Sequence, residues 1–128
     1  MIKHWTVFEG AQGGRREEKA RVTLSPNRTF GLNEHAYRAI GSPAAVEMMY
    51  DAGRHMIGLR PCDPQKKNAF LVKSRLKGKH FQISSGAFLN HFDIKAERTM
   101  RFERVDVEPD GTLALDLSLT TVVTRGSR

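Results

Sequence analysis

The chain has 128 residues, the commonest length for one domain and enough to bury a core without disulfides or metal. It carries 21 Lys+Arg against 14 Asp+Glu, a formal charge of +7, with 39% hydrophobic residues and one cysteine, Cys62. Those figures exclude wholesale disorder, an internal disulfide and a cysteine-based zinc cluster.

The first twenty residues, Gly-rich around GAQGGRREEK, read as a flexible arm in which Trp5, Val7 and Phe8 are apolar enough to dock. A first folded unit is expected over residues 21–61. RVTLSP turns Val22 and Leu24 inward, Pro26-Asn27 makes a turn, and TFGLN puts Phe30 and Leu32 on one face. Asn33 is placed to cap a short helix, EHAYRAI, with Gly41 just past its end. AAVEMMYD follows as a strand, then a turn at Ala52-Gly53, then HMIGLRP, which Pro61 is expected to stop.

PCDPQKKN, residues 61–68, reads as a linker because its prolines break regular structure. A second unit is expected over 69–117. FLVKS is a strand, RLKGK a turn and HFQIS a strand, with Ser84 in the capping position before the helix SGAFLNHF. MRFERVDVE changes its inward set from Met100 and Phe102 to Val105 and Val107, which predicts a bulge near Glu103-Arg104. Pro109-Asp110-Gly111 turns the chain into TLALDL, and residues 120–128 read as a tail. The two units superpose as ββαββ, with Phe30 to Asn33 over Phe81 to Ser84 and Ile57 over Leu115. One unit buries too little by itself, so the two are expected to share one barrel-like core within a domain spanning 21–119.

The charge is local. Residues 64–90 contain no Asp or Glu but hold Lys66, Lys67, Lys73, Arg75, Lys77 and Lys79. The last four alternate, so an unbroken strand or ribbon would present them on one face. Arg15, Arg16, Lys19 and Arg21 form a second group, partly offset by Glu17 and Glu18. Two readings stand side by side: a lysine-rich edge strand that resists aggregation, or a surface for nucleic-acid phosphates.

No chemistry-bearing motif competes with that surface. His4, His35, His55, His80 and His91 show no metal-ligand spacing, and Cys62 has no evident base partner. No GxSxG elbow or Walker lysine is present. Neither an enzyme nor a cofactor is expected. No apolar run approaches the roughly 20 residues of a membrane span, and MIKHWTVFEG lacks the apolar stretch of a secretory signal. A soluble cytoplasmic protein with no membrane partner is expected.

FGLNEHAYRAIG followed by AVEMMYDAGRHMIGLRP resembles the AbrB/MraZ-type (SpoVT-AbrB swapped-hairpin) transcriptional regulators, and residues 70–117 follow the same pattern more loosely. The resemblance implies a mainly β fold of interlocked hairpins with short helices, built from two ββαββ repeats in one chain. It departs where that family places a proline at the strand–helix junction, here Asn33 and Ser84, and a helix arginine, here Tyr37 and Phe88. The implied function is a small transcriptional regulator contacting double-stranded DNA through the first hairpin of each unit. Those hairpins hold Arg21 and Arg28, then Lys73, Arg75, Lys77 and Lys79, with Arg15 and Arg16 assisting. The alternative is a non-catalytic assembly module on the same fold, antitoxin-like or a homo-oligomer, with a protein partner in place of DNA.

Overall fold

Alternating inward apolar and outward polar side chains sort the strands into two antiparallel sheets with one core between them. The computed structural model describes residues 19–123. The expected contacts Arg15 and Arg16, the arm aromatics and residues 124–128 lie outside the described residues. In chain order the elements are β1 (Val22–Leu24), β2 (Thr29–Asn33), α1 (Glu34–Ala39), β3 (Ala45–Asp51), β4 (Met56–Cys62), β5 (Phe70–Leu71) and β6 (Lys73–Arg75). After a tight turn at Leu76–Gly78 come β7 (His80–Ser84), α2 (Gly86–His91), β8 (Met100–Phe102), β9 (Val105–Val107), β10 (Leu113–Asp116) and β11 (Thr120–Val122).

One sheet runs β11-β8-β1-β2-β7-β6, the other β5-β3-β4-β10-β9. At the centre of the first, β2 pairs with β7 so that Phe30 faces Ile83 and Leu32 faces Phe81. At the centre of the second, β4 pairs with β10, with Ile57 opposite Leu115 and Leu59 opposite Leu113. All eight side chains are buried, and Val22, Leu24, Val46 and Phe102 close the core around them. At about 25 cal/mol per Å² of apolar surface, such central pairs are where burial stabilises the fold most.

The chain crosses between the sheets twice within what the sequence presents as single strands. FLVKSR divides at Val72: β5 pairs with β3, whereas β6 pairs with β7. MRFERVDV divides at Glu103-Arg104: β8 pairs with β1, whereas β9 pairs with β10. The expected bulge is therefore a sheet crossing. At the second crossing the inward set shifts from Met100 and Phe102 to Val105, the same change of phase that a bulge produces, whereas Phe70 and Val72 face the core and Ser74 pairs with buried Phe81 without a shift through the first. The two sheets do not close into the expected barrel.

Local chemistry explains the caps. Asn33 Oδ1 accepts from the Ala36 N–H at 2.9 Å, as an N-cap should. The same amide accepts from Arg21 N and donates to the Lys19 carbonyl, each at 2.9 Å, so it also ties down the entry to β1. Gly41, at φ +87°, closes α1 with the Ser42 N–H donating to the Tyr37 carbonyl and the Gly41 N–H to that of Arg38. Ser84 does not cap the second helix. It is the exposed last residue of β7, and the N-cap position falls on Ser85, whose buried hydroxyl donates to the Ile83 carbonyl instead. Pro61 does not end its strand either; β4 continues through it to Cys62. A proline is tolerated there because β10 begins only at Leu113, opposite Leu59, leaving β4 flanked on one side. The expected tail opens with β11, whose β-branched Thr120, Thr121 and Val122 pair along β8.

Asn33→Ala should lower the urea-unfolding free energy by about 1–2 kcal/mol, because it removes the cap and both ties together. Asn33→Asp, which keeps the acceptor, should recover most of that loss; equal stability of all three proteins would show the amide to be idle.

Candidate nucleic-acid interface

The strand register that buries one side of the six-stranded sheet exposes a polar face on the other. One row across that face reads Thr121, Arg101, Thr23, Gly31, Gln82, Lys73. The next reads Arg21, Asn33, His80, Arg75, with the Asn33 N–H donating to the Arg21 carbonyl one residue before β1. With neighbouring strands about 4.8 Å apart, Lys73 and Arg101 stand roughly 19 Å from one another along the first row.

The middle of the face is kept low by Gly31. A Cβ there would lie 2.9 Å from both His80 Cε1 and Thr23 Oγ1, so only glycine lets the imidazole lie down on the sheet. A depression of about 250 Å³ results, lined by Thr23, Ser25, Asn27, Thr29, His80 and Gln82. Burial pushes the His80 pKa below its ordinary value, since the charged ring gives up hydration there.

Cations stand on both sides of that middle. On one edge Lys73 and Arg75 share the outer face as expected, and Arg75 Nε donates to Gln82 Oε1 at 3.1 Å. Lys77 and Lys79 do not extend that row. Leu76, Lys77 and Gly78 take successive positive φ values of 51°, 54° and 83°, so the ribbon curls into a tip that carries Lys77 and Lys79 around it. Left-handed backbone costs about 1–2 kcal/mol at each non-glycine residue. Among the described residues, none of these four cations enters an ion pair.

On the other side, along the entry to β1 and the end of β8 and one strand in from β11, lies a polar depression of about 630 Å³ lined by Lys19, Arg21, Arg101 and Arg104, with Glu103 as its acid. Arg104 Nε lies 2.9 Å from Asp106, and Arg101 lies 3.8 Å from Glu103. Arg101 and Arg104 escape a linear reading because each stands near an acid in sequence. Strand pairing brings Arg101 beside Thr23, and the sheet crossing at Arg104 leaves both arginines on the rim near Arg21.

Two sequence-level candidates lie elsewhere. Arg28 sits in the β1–β2 turn, at the opposite end of β2 from the basic tip, where its carbonyl accepts from the Ser85 N–H at 2.8 Å. Lys66, part of the acid-free stretch, pairs at 3.0 Å with Glu47 on the five-stranded sheet, beside Arg60 at 2.8 Å. Hydrogen bonds from Arg60 and Lys66 hold the Glu47 carboxyl below its usual range.

Tyr37 and Phe88 serve the core. The Tyr37 ring stacks on Phe81 at 3.8 Å and its hydroxyl donates to the Pro43 carbonyl at 2.7 Å, while Phe88 is buried. Half-buried Cys62 has its thiol pKa pushed up, chiefly by desolvation. Among the described residues no cluster of three or more His, Cys, Asp or Glu is arranged to hold a metal. No helix among them is long and apolar enough to cross a membrane. Comparison with protein-family models, curated proteins and solved structures finds no match to this chain.

The depressed His80 pKa sets the sign of a pH effect. On acidification the unfolded chain takes up this proton before the folded chain does. Stability from this group is full above the ordinary histidine pKa, about 6.5, and falls as the pH drops from there through the folded value. The urea midpoint of the wild type should therefore fall more between about pH 7.5 and 5 than that of His80→Gln. Parallel pH curves for the two proteins would refute the assignment.

Proposed function

We propose that this chain is a small, non-catalytic DNA-binding protein that docks on duplex DNA through the outer face of its six-stranded sheet. The observation that carries the reading is the pair of cation groups flanking one face, along β6 and its tip and along the entry to β1 and the end of β8. Lys73, Arg75, Lys77 and Lys79 stand free of ion pairs among the described residues on one side, and Lys19, Arg21, Arg101 and Arg104 gather on the other. A solvated edge strand accounts for the lysines alone; it does not account for cations drawn from distant parts of the chain onto the same surface. Phosphate contacts from both groups supply affinity and orientation, and the hydroxyl, amide and imidazole groups between them face the groove.

On this reading the chain acts in the cytoplasm as a transcriptional regulator of the AbrB/MraZ kind, with ββαββ repeats related about the β2–β7 and β4–β10 pairings. Support for the repeat comes from the register: Phe30 pairs with Ile83 and Leu32 with Phe81, the reciprocal pairing that two equivalent strands make about a dyad. Arg28 lies away from both cation groups and is left out of the proposed contact set.

A second reading rests on the five-stranded sheet. Among the described residues β3 has a strand partner on its far side only at Ala45 and Val46. Beside its open length lies a groove of about 510 Å³ lined by Met48, Met49, Phe70, Phe88 and the exposed Phe92. An extended segment of a partner chain, or of a second copy, fits such an edge.

Fluorescence anisotropy with mixed-sequence duplexes across a salt series tests the first reading. Neutralising about four phosphates should give a log–log slope near −3.6. The quadruple Lys73/Arg75/Lys77/Lys79→Ala variant should flatten that slope and bind at least about tenfold more weakly. A flat wild-type salt response, or unchanged affinity in the variant, rejects DNA binding; a stoichiometric protein partner retained without nucleic acid then favours the second reading.

A further inference from the structure

The β6–β7 hairpin ends in an arrangement that phosphate contact alone does not require. Leu76, at its tip, is 73% exposed, the most exposed large hydrophobic side chain among the described residues. It is held at φ +51°, followed by Lys77 at +54° and Gly78 at +83°. Tight hairpin turns with successive positive φ values favour Asn, Asp and Gly, which reach this backbone region at little steric cost. A γ-branched apolar residue there is unfavourable twice, in its backbone and in its hydration. Strain of this kind is a pointer to function when a second feature of the site calls for the same residue. Here the second feature is charge: Arg75, Lys77 and Lys79 surround Leu76, none is ion-paired among the described residues, and residues 64–90 contain no acid.

We propose that Leu76 is an apolar wedge that enters the minor groove of duplex DNA and partly unstacks one base step, while Arg75, Lys77 and Lys79 grip the flanking phosphates. The proposal rests on the DNA-binding reading and adds a deformation to it. Minor-groove proteins insert leucine and similar residues in this way, offsetting the cost of unstacking with a bend that brings more phosphates to the protein. The hairpin is suited to it, because β6 is the outermost strand of its sheet and the tip projects beyond the last pair, Arg75 with His80. An anionic membrane surface would meet the same charges, but a single leucine gives little insertion and no second apolar residue shares the tip among the described residues. Leu71, the next most exposed apolar side chain, belongs to the other sheet.

The test uses the full chain with an end-labelled duplex carrying 2-aminopurine at a flexible TA step, read by anisotropy and by 2-aminopurine emission. Wild-type protein should raise the emission as the step unstacks. Leu76→Ala should bind roughly ten- to a hundredfold more weakly with an unchanged salt slope, and should not raise the emission. Leu76→Asn controls for folding. Asparagine suits the left-handed backbone, so this variant should melt at or above the wild-type temperature and still lose both the affinity and the emission change. Wild-type behaviour of both variants, with binding still lost in the quadruple cation variant, overturns the wedge and leaves the DNA reading standing. No duplex binding by the wild type overturns both, and Leu76-dependent binding to phosphatidylserine vesicles in that case makes the tip a membrane contact.

Discussion

The pairing of β2 with β7 is the constraint on which everything else in this protein depends. It joins strands about fifty residues apart and turns Phe30, Leu32, Phe81 and Ile83 into the floor of the core. The alternate residues of the same strands, Gly31, Asn33, His80 and Gln82, form the middle of the polar face. Core and candidate interface are two sides of one register. A slip of one residue would exchange them, sending aromatic rings to solvent and the histidine inside, so burial of the apolar set also specifies the face.

The two sheet crossings make that pairing part of a single cooperative unit. At Val72 and at Glu103-Arg104 the chain leaves one sheet and continues in the other, so neither sheet can form fully without strands whose neighbours lie in the second. The crossings also serve the surface. The first delivers Lys73 and Arg75 to the outer edge of the six-stranded sheet just after Phe70 has packed on the other. The second leaves Arg101 and Arg104 on the opposite rim, near Lys19 and Arg21, which the Asn33 side chain holds by their backbones.

Charge is distributed in a way that separates structural from available cations. On the five-stranded sheet Arg60 and Lys66 converge on Glu47, and on α1 Arg38 meets Glu34 one turn away. On the six-stranded sheet the hairpin cations have no such partners among the described residues. The tip between them combines strained backbone with an exposed leucine, features that cost stability in the isolated protein and fit a surface that meets something outside it.

Much of this was legible in the sequence. Period-two alternation identified the strands of Val22, Phe30, Val46, Ile57, Phe81 and Leu113, Asn33 and Gly41 bounded the first helix, and the acid-free stretch marked the basic hairpin. These features are local, set by the pleat, by orphan N–H groups and by the left-handed backbone that glycine tolerates. The sequence also carried the phase change at Glu103-Arg104, but not its meaning, since a bulge would shift the inward side just as this crossing does, and the crossing at Val72 leaves no phase change to read. Only the tertiary structure decided that the sheets stay open, that Lys77 and Lys79 leave the row begun by Lys73 and Arg75, that Arg28 stands apart, and that Arg101 and Arg104 join Lys19 and Arg21. The curl that carries off Lys77 and Lys79 is set by the backbone of the hairpin tip; the other outcomes depend on which distant strand becomes a neighbour, and that pairing is settled by burial of the whole core, which no local pattern encodes.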